Sequence, residues 1–225
     1  MDKYLIIVAG GKGERFSDEM PKQFTEINGR PLLMHTFDAF SDVAPAHIVL
    51  VLNRHYIAYW KELCEQYGFT TPHEIVEGGP KRFHSVKSGL AAVPDNVLVA
   101  IHDGVRPLVT LDMIKTGFDI AFRKGNAVPV IPVTDSMREV SGSLSKTVER
   151  EHFRLVQTPQ FFLSTLIRKA YRKPYDEKFT DDASVLEAGG QQIYLFDGDP
   201  QNIKITTPED MAFASYLLQE RNGNN

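Results

Sequence analysis

The chain has 225 residues, 42% of them hydrophobic and 24% charged, which suits one globular domain with a sizeable core. The formal net charge of −4 excludes an overall basic field for nucleic acid, and a single cysteine excludes an intrachain disulfide framework and favours a reducing compartment. No segment approaches the length of about 18 apolar residues needed to span a membrane, and the first apolar run is too short for a signal peptide. We therefore expect a cytoplasmic protein that does not enter a membrane.

The first apolar run, residues 5–9, is predicted to be a buried strand that ends in a glycine-rich loop. That loop, residues 10–22, reads GGKGERFSDEMPK and contains Arg15 and Lys22. Glycines allow backbone N–H groups to approach a ligand closely, and the two basic side chains add positive charge. The spacing matches neither a dinucleotide-binding fingerprint nor a P-loop. A solvated turn is the simpler alternative, but the clustering of these residues favours a site for a triphosphate.

The following segments alternate between apolar strands and amphipathic helices. Strands are predicted at residues 47–52, 73–77, 97–101 and 127–133, with helices beginning near residues 31, 55, 81 and 111. This order predicts an α/β fold with a mostly parallel sheet covered by helices on both faces. Ligands of such sheets bind beyond the carboxyl ends of the strands. Three strand ends carry unusual loops, starting at Gly10, Gly78 and His102, and we expect all three to face one crevice.

Three further features have plainer interpretations. Cys64 lies on the apolar stripe of the helix predicted after residue 55, which indicates a core residue rather than a nucleophile. His102 is a lone imidazole with no spaced partner, so we interpret it as structural. The tripeptide DGD at residues 197–199 resembles a metal motif but follows the last predicted strand, residues 192–196, and is interpreted as a turn.

Residues 134–150 interrupt the alternation. Two short β segments, residues 136–140 and 144–149, flank a Ser-Gly-Ser turn, which predicts a hairpin. The hairpin has few large apolar residues and should project from the domain, where an isolated two-stranded ribbon would be marginal. We expect it to be an arm that packs against a second subunit, giving a homodimer.

The remainder of the chain returns to the same domain. Helices are predicted at residues 163–173 and 181–188, and the sequence TPED at residues 207–210 is typical of the start of a last helix. We therefore treat residues 1–225 as one domain with the arm inserted at about 134–150.

A set of motifs spread from residue 6 to residue 211 resembles one known family. They are AGGKGER with PKQF, EGGPKRFHSV, HDGVRP, QTPQFF and NIKITTPED. In this order they resemble the polyol-phosphate cytidylyltransferases. The resemblance implies a Rossmann-like, three-layer α/β/α fold, an arm that dimerises, and transfer of CMP from CTP to a polyol phosphate with release of pyrophosphate. It also implies Mg²⁺ bridging the triphosphate, without a confident direct protein ligand apart from the candidate Asp103.

This chemistry suits a chain without an obvious nucleophile. The phosphate of the acceptor is already ionised at neutral pH, so no serine, histidine or strong base is needed to activate it. Catalysis can then rest on in-line positioning and on stabilisation of charge at the α-phosphorus.

The resemblance also implies a role for each matching residue. Arg15 and Lys22 match the residues that stabilise the transition state and the leaving pyrophosphate. The implied CTP-binding residues are Ala9, Gly10, Gly11, Gly13, Gly79, Pro80, Ser85 and Asp103. The implied acceptor-binding residues are Asp103, Arg106, Ser136, Arg150, Thr180 and Lys204, of which Arg150 and Lys204 are also catalytic candidates.

Some of these positions depart from the family or allow a plainer explanation. Pro80 stands where the family often has an acidic residue, and Ser136 stands where threonine is common but keeps the hydroxyl. Asp103 could simply form a turn, and Arg150 and Lys204 could be solvated surface charges. Because Arg150 lies at the end of the arm, we expect it to serve the site of the partner subunit.

Three alternative functions remain open at this point. The motifs favour methylerythritol phosphate as the acceptor, whereas a ribitol 5-phosphate cytidylyltransferase would share most of them. A nucleotide-sugar glycosyltransferase would need D-x-D at the end of a central strand, where this chain has only Asp103. A nucleotide-binding regulator without catalytic activity is a third alternative.

Overall fold

The computed structural model describes residues 1–10, 21–43, 45 and 47–223. The strands in this part are β1 (Lys3–Ala9), β2 (Glu26–Ile27), β3 (Arg30–Pro31), β4 (His47–Leu52), β5 (Glu74–Glu77), β6 (Leu98–Asp103), β7 (Asn126–Pro132), β8 (Met137–Ser141), β9 (Leu144–Val148), β10 (Arg154–Val156), β11 (Gln160–Leu163) and β12 (Leu195–Asp197). The α-helices are α1 (Leu32–Asp38), α2 (Ile57–Gln66), α3 (Arg82–Ala91), α4 (Leu111–Lys124), α5 (Ser164–Ala170), α6 (Asp182–Ala188) and α7 (Pro208–Gly223). The last strand is shorter and later than the predicted 192–196.

The strands form a mixed, mostly parallel central sheet, as the sequence predicts. Its order is β10-β7-β11-β6-β1-β4-β5, and β12 pairs in parallel with β7. β1 runs parallel to both β4 and β6, and β4 runs parallel to β5. The antiparallel strand β11 lies between β6 and β7, an insertion that the sequence pattern did not indicate.

Helices cover both faces of the sheet because successive strand residues point in opposite directions. Ile6 and Ile7 of β1 are both fully buried, but they belong to different apolar clusters. The cluster containing Ile7 includes side chains of α1, α2 and α4, whereas that containing Ile6 includes side chains of α3, α5 and α6. Burial of each such side chain contributes about 2 kcal/mol. The three-layer α/β/α architecture is therefore confirmed.

The last helix begins as the sequence predicts. The hydroxyl of Thr207 accepts a hydrogen bond from the N–H of Asp210 at 3.2 Å, and the carboxylate of Asp210 accepts one from the N–H of Thr207 at 2.9 Å. Ala214 and Leu218 of α7 share a buried cluster with Ile205, which anchors the segment just before the helix. None of the helices in the described ranges is long and apolar enough to cross a lipid bilayer.

The predicted hairpin is confirmed as a structure separate from the main sheet. β8 and β9 pair only with each other, in antiparallel register from Met137 opposite Val148 to Ser141 opposite Leu144. Val140 is 69% exposed and Leu144 is 75% exposed. The arm thus presents apolar side chains to solvent in the single chain.

Candidate active site

The carboxyl ends of four parallel strands lie along one edge of the sheet. Ala9 of β1 lies opposite Leu52, the end of β4, and Leu52 lies opposite Glu77, the end of β5. On the other side of β1, Val8 lies opposite Asp103, the end of β6. The loops that begin at residues 10, 78 and 102 therefore start at the same edge, as the sequence predicts.

Asp103 is the centre of a cluster of charges at this edge. One carboxylate oxygen lies 3.0 Å from Nζ of Lys204 and 3.6 Å from Nε of Arg106, and the other lies 3.4 Å from Nε of Arg82. Asp103 is 7% exposed. Burial by itself would raise the pKa of this carboxyl group, but the charges of Arg82, Lys204 and Arg106 hold it well below its usual range. Asp103 is therefore ionised at any physiological pH.

The backbone places the two acceptor candidates Arg106 and Lys204 around this carboxylate. Nη1 of Arg106 donates to the carbonyl oxygen of Asn202 at 2.7 Å. The N–H of Ile205 donates to the carbonyl oxygen of Val105 at 3.0 Å, which ties the segment of Lys204 to the loop after β6. Residues about 100 positions apart in the sequence are thus brought to one point, as the resemblance implied.

Arg82 is a further member of the Asp103 cluster. The sequence predicted a helix starting close to it, but no role for its side chain. Its Nη1 and Nη2 each lie 2.8 Å from one carboxylate oxygen of Asp182, and its Nε faces Asp103. Its location inside the motif EGGPKRFHSV was the signal available to find it. The carboxylates of Asp103 and Asp182 hold the pKa of Arg82 well above its usual value despite burial.

His102 has a structural role, as predicted, within a buried hydrogen-bonded chain. Its Nε2 lies 3.0 Å from the carbonyl oxygen of Arg106, and its Nδ1 lies 3.2 Å from the hydroxyl of Thr158. That hydroxyl accepts from the N–H of Asp103 at 3.1 Å. Burial lowers the pKa of His102 to about 4, so the ring is neutral at pH 7. The partners require Nε2 to donate and Nδ1 to accept, and sequence reasoning missed Thr158.

Three of the CTP-binding residues that the resemblance implies, Gly79, Pro80 and Ser85, lie together beside this cluster. The hydroxyl of Ser85, which is 3% exposed, accepts from the N–H of Gly79 at 3.1 Å and lies 3.3 Å from the carbonyl oxygen of the same residue. A Cβ at Gly79 would lie 2.4 Å from Cβ of His84, so no larger residue fits there. Pro80 is exposed at the tip of the loop. In this structure Ser85 therefore shapes the loop.

The structure describes the glycine-rich loop at Gly10 and from Pro21 onwards. Gly11, Gly13 and Arg15 lie outside the described residues. Lys22 is half-buried and begins a short 3-10 helix, Lys22–Phe24. The next residue, Gln23, donates from its side-chain amide to the carbonyl oxygen of Ala9 at 2.8 Å. This bond places Lys22 beside the end of β1.

The remaining acceptor candidates lie outside the Asp103 cluster. Ser136 is exposed just before β8. Arg150 is exposed at the base of the arm, where its guanidinium donates to the carbonyl oxygen of Thr134 and lies 3.5 Å from the carboxylate of Glu151. Thr180 is exposed two residues before Asp182, the partner of Arg82. The single chain thus places Thr180 near the cluster through Asp182, whereas Ser136 and Arg150 belong to the arm.

The side chains around Asp103 suit an anionic ligand better than a metal held by the protein. Three cationic groups already surround its carboxylate. In the ranges that the structure describes, no group of three or more His, Cys, Asp or Glu side chains could hold a metal ion. The carboxylate of Asp103 as arranged here is therefore already paired with cations of the protein itself.

The interpretations of Cys64 as a core residue and of residues 197–199 as a turn also agree with the structure. Cys64 packs against the core, and burial raises the pKa of its thiol to about 11, so the thiolate is scarce at neutral pH. The carboxylate of Asp199 accepts from the N–H of Gln201 at 2.8 Å, which closes a turn after β12.

Comparison with known proteins agrees with the fold. Residues 4–220 match the model of the IspD family, 2-C-methyl-D-erythritol 4-phosphate cytidylyltransferase. The protein of that name from Phocaeicola vulgatus is 47% identical over 219 residues, which are 97% of this chain and 100% of the relative. The enzyme of that name from Thermus thermophilus has a crystal structure that matches with a TM-score of 0.78 and 33% identity, covering 97% of this chain and 100% of the other. The crystal structure of 4-diphosphocytidyl-2C-methyl-D-erythritol synthase from Anaerococcus prevotii matches with a TM-score of 0.82 and 28% identity, over 97% and 98% of the two chains. The chain belongs to the 2-C-methyl-D-erythritol 4-phosphate cytidylyltransferase family.

Proposed function

We propose that this protein transfers CMP from CTP to 2-C-methyl-D-erythritol 4-phosphate, giving 4-diphosphocytidyl-2-C-methyl-D-erythritol and pyrophosphate in isoprenoid precursor biosynthesis. The observation that carries the proposal is the cluster of Arg106 and Lys204 around Asp103 at the carboxyl edge of the sheet. These two cations are suited to an anionic acceptor, and the cluster lies beside the glycine-rich loop expected to bind a triphosphate.

In the proposed reaction a phosphate oxygen of the acceptor attacks the α-phosphorus of CTP. A new P–O–P bond forms, the bond between the α- and β-phosphates breaks, and pyrophosphate leaves with the electron pair. Arg106 and Lys204 orient the acceptor, and the exposed Thr180 is placed to contact it. Lys22, with Arg15, stabilises the negative charge that develops on the leaving group. No covalent intermediate on the protein is required.

The nucleotide is bound by two loops of the same edge. The backbone of residues 9–13 cradles the triphosphate, and the loop of Gly79, Pro80 and Ser85 reads cytosine. Because Ser85 bonds to both backbone groups of Gly79, we assign its hydroxyl the task of setting the loop conformation. When bound together with the nucleotide, Mg²⁺ would neutralise part of the negative charge of the triphosphate, and we assign it no direct protein ligand.

The arm completes the site in a homodimer. Its exposed Val140 and Leu144 would be covered by a second copy of the chain, since an isolated ribbon is marginal in water. Arg150 and Ser136 then contact the acceptor bound to the partner subunit. The single cysteine is compatible with a reducing compartment, for which we propose the cytoplasm.

The proposal is tested by measuring pyrophosphate release with each of CTP, ATP, GTP and UTP, against methylerythritol phosphate and ribitol 5-phosphate. We expect release only with CTP and methylerythritol phosphate in the presence of Mg²⁺. Release with ribitol 5-phosphate alone would overturn the acceptor assignment, and transfer of the sugar from a nucleotide sugar, with release of the nucleotide, would indicate a glycosyltransferase. Binding of CTP without turnover with either acceptor would favour a regulator.

A further inference from the structure

Arg82 occupies the junction between the loop expected to read cytosine and the segment that carries Thr180. Its guanidinium forms a two-pronged pair with Asp182, with both N–O distances at 2.8 Å, while its Nε lies 3.4 Å from Asp103. Asp182 is 0% exposed. The planar guanidinium of Arg82 therefore joins two carboxylates, that of Asp103 at the end of β6 and that of Asp182 at the start of α6.

Asp182 is held rigidly from its other side. The hydroxyl of Tyr171 donates to it at 2.6 Å. The preceding residue, Asp181, caps α6 through the N–H of Ser184 at 2.8 Å and also accepts from the side-chain amide of Gln160 at 2.8 Å. The segment after Thr180 is thus fixed both to its own helix and to β11.

Aromatic packing fixes the segment before Thr180 against the same turn of α3. The ring of Phe83 stacks on that of Tyr171 with centroids 4.7 Å apart, and on that of Phe179 at 5.7 Å. Phe179 is the residue immediately before Thr180. The first turn of α3 therefore contacts both flanks of Thr180, through Phe83 on one and Arg82 on the other.

We propose that Arg82 is a positioning residue of the transfer reaction, which holds Asp103 on one side and, through Asp182, the segment of Thr180 on the other. It aligns the two parts of the acceptor site with each other. The inference rests on the proposed function, because positioning has meaning only where the transfer occurs.

The geometry explains why this position requires arginine. A guanidinium can bond to both oxygens of one carboxylate and still present Nε to another, whereas a lysine ammonium is a point charge on a flexible stem. Lysine at position 82 would keep the charge near Asp103 and Asp182 but would not fix their relative orientation. The nucleotide loop has a separate support, because Ser85 bonds to Gly79 independently of Arg82.

The test is a double-mutant cycle of Arg82→Lys and Asp182→Asn, with kinetics measured for the folded protein. Unfolding temperatures are measured first, and assays are run at a temperature at which every variant is folded. Arg168→Lys is the matched control. Arg168 lies on α5, away from the site, and forms a 2.7 Å ion pair with Asp95. CTP dissociation constants are measured by calorimetry without acceptor.

We expect each single substitution to lower kcat/KM for the acceptor by about tenfold or more, since small misplacement of reacting groups is costly. The kcat/KM of the doubly substituted protein for the acceptor should lie within about threefold of that of the less active single variant, because the two residues act as one unit. CTP affinity without acceptor should change by less than about threefold, since its loop keeps its own support. The Arg168→Lys control should retain wild-type kinetics.

Three results would overturn the inference. The first is wild-type acceptor kinetics in Arg82→Lys, which would make the pair merely structural. The second is additive losses in the cycle, and the third is a loss of CTP affinity as large as the loss in acceptor kcat/KM. If the wild-type protein itself releases no pyrophosphate with CTP and either acceptor, the proposed function fails instead, which separates the two claims.

Discussion

The Asp103 cluster and the arm differ in how they are held. Asp103 is buried, lies at the end of a central strand, and has three cationic neighbours, of which Arg82 and Arg106 make further hydrogen bonds. The arm residue Arg150 is exposed, and its guanidinium contacts two residues close to it in the sequence, Thr134 and Glu151. The single chain therefore holds the Asp103 cluster in a fixed arrangement, whereas the contacts of Arg150 described here lie within and next to the arm.

This difference suggests a division of tasks. Groups that stabilise charge gain from being preorganised, because no reorganisation is then needed during the reaction. Groups on a projecting hairpin can instead be brought to the site by association of two chains. In our account the body provides charge stabilisation and nucleotide binding, whereas the arm contributes to binding of the acceptor on the partner.

The largest loss of activity is expected from a substitution in the body of the chain, at Lys22. Lys22→Ala should lower kcat by about a hundredfold, because removing one group that stabilises transition-state charge costs on the order of 3 kcal/mol. The unfolding temperature should change little, and the exposed Lys61 of α2 supplies a matched Lys→Ala control. Steady-state kinetics with saturating Mg²⁺ check this, and a near-wild-type kcat would remove the role assigned to Lys22.

The arm is tested at Arg150. Arg150→Ala should raise the acceptor KM by about tenfold, the loss of one charge-assisted contact, and should raise the KM for CTP less. Arg138→Ala is the control for the integrity of the arm, because Nε of Arg138 donates to the hydroxyl of Ser145 across the hairpin at 2.9 Å. An unchanged acceptor KM in Arg150→Ala, or an equal rise in Arg138→Ala, would contradict the assignment.

The last prediction concerns the stability of the fold rather than catalysis, through the support that His102 gives the Asp103 loop. Because the folded pKa of His102 is about 4 and its ordinary value is 6.5, the unfolded chain binds the proton first as the pH falls. Stability conferred by the neutral ring is thus complete above about pH 6.5 and decreases by about 3 kcal/mol towards pH 4.

Urea unfolding of wild type and His102→Gln at several pH values measures this contribution. Glutamine retains a donor for the carbonyl oxygen of Arg106 but does not titrate. Between pH 6.5 and 4, the stability of the variant should fall less steeply than that of wild type. Parallel pH profiles for the two proteins would show that His102 is not buried in its neutral form.

The architecture was predictable because it is encoded locally. Apolar runs such as residues 5–9 and 97–101 are buried strands, and glycine-rich ends mark the edge where the site lies. The position of β11 was not predictable, since a run of four residues carries no local signal of its direction or of its neighbours. The same holds for the shift of the last strand from the predicted 192–196 to Leu195–Asp197.

The members of the Asp103 cluster that lie in recognisable motifs could be named from the sequence, whereas contacts that only the topology creates could not. Asp103, Arg106 and Lys204 were identified from their motifs, and the structure brings them together. The pair of Arg82 and Asp182 joins residues 100 positions apart, and nothing in the local sequence of either residue indicates the other. Thr158 was missed for a similar reason, because its hydroxyl acts on the backbone of Asp103 through the fold.

In the dimer that we propose, each active site combines the body of one chain with the arm of its partner. This arrangement is tested most directly by co-expressing Lys22→Ala and Arg150→Ala chains with different tags and purifying the mixed dimer. One of its two sites should then contain both native residues, so with subsaturating acceptor the mixed dimer should regain about half of the wild-type activity. Activity no higher than that of the two separate homodimers, or failure to form any dimer, would contradict the account.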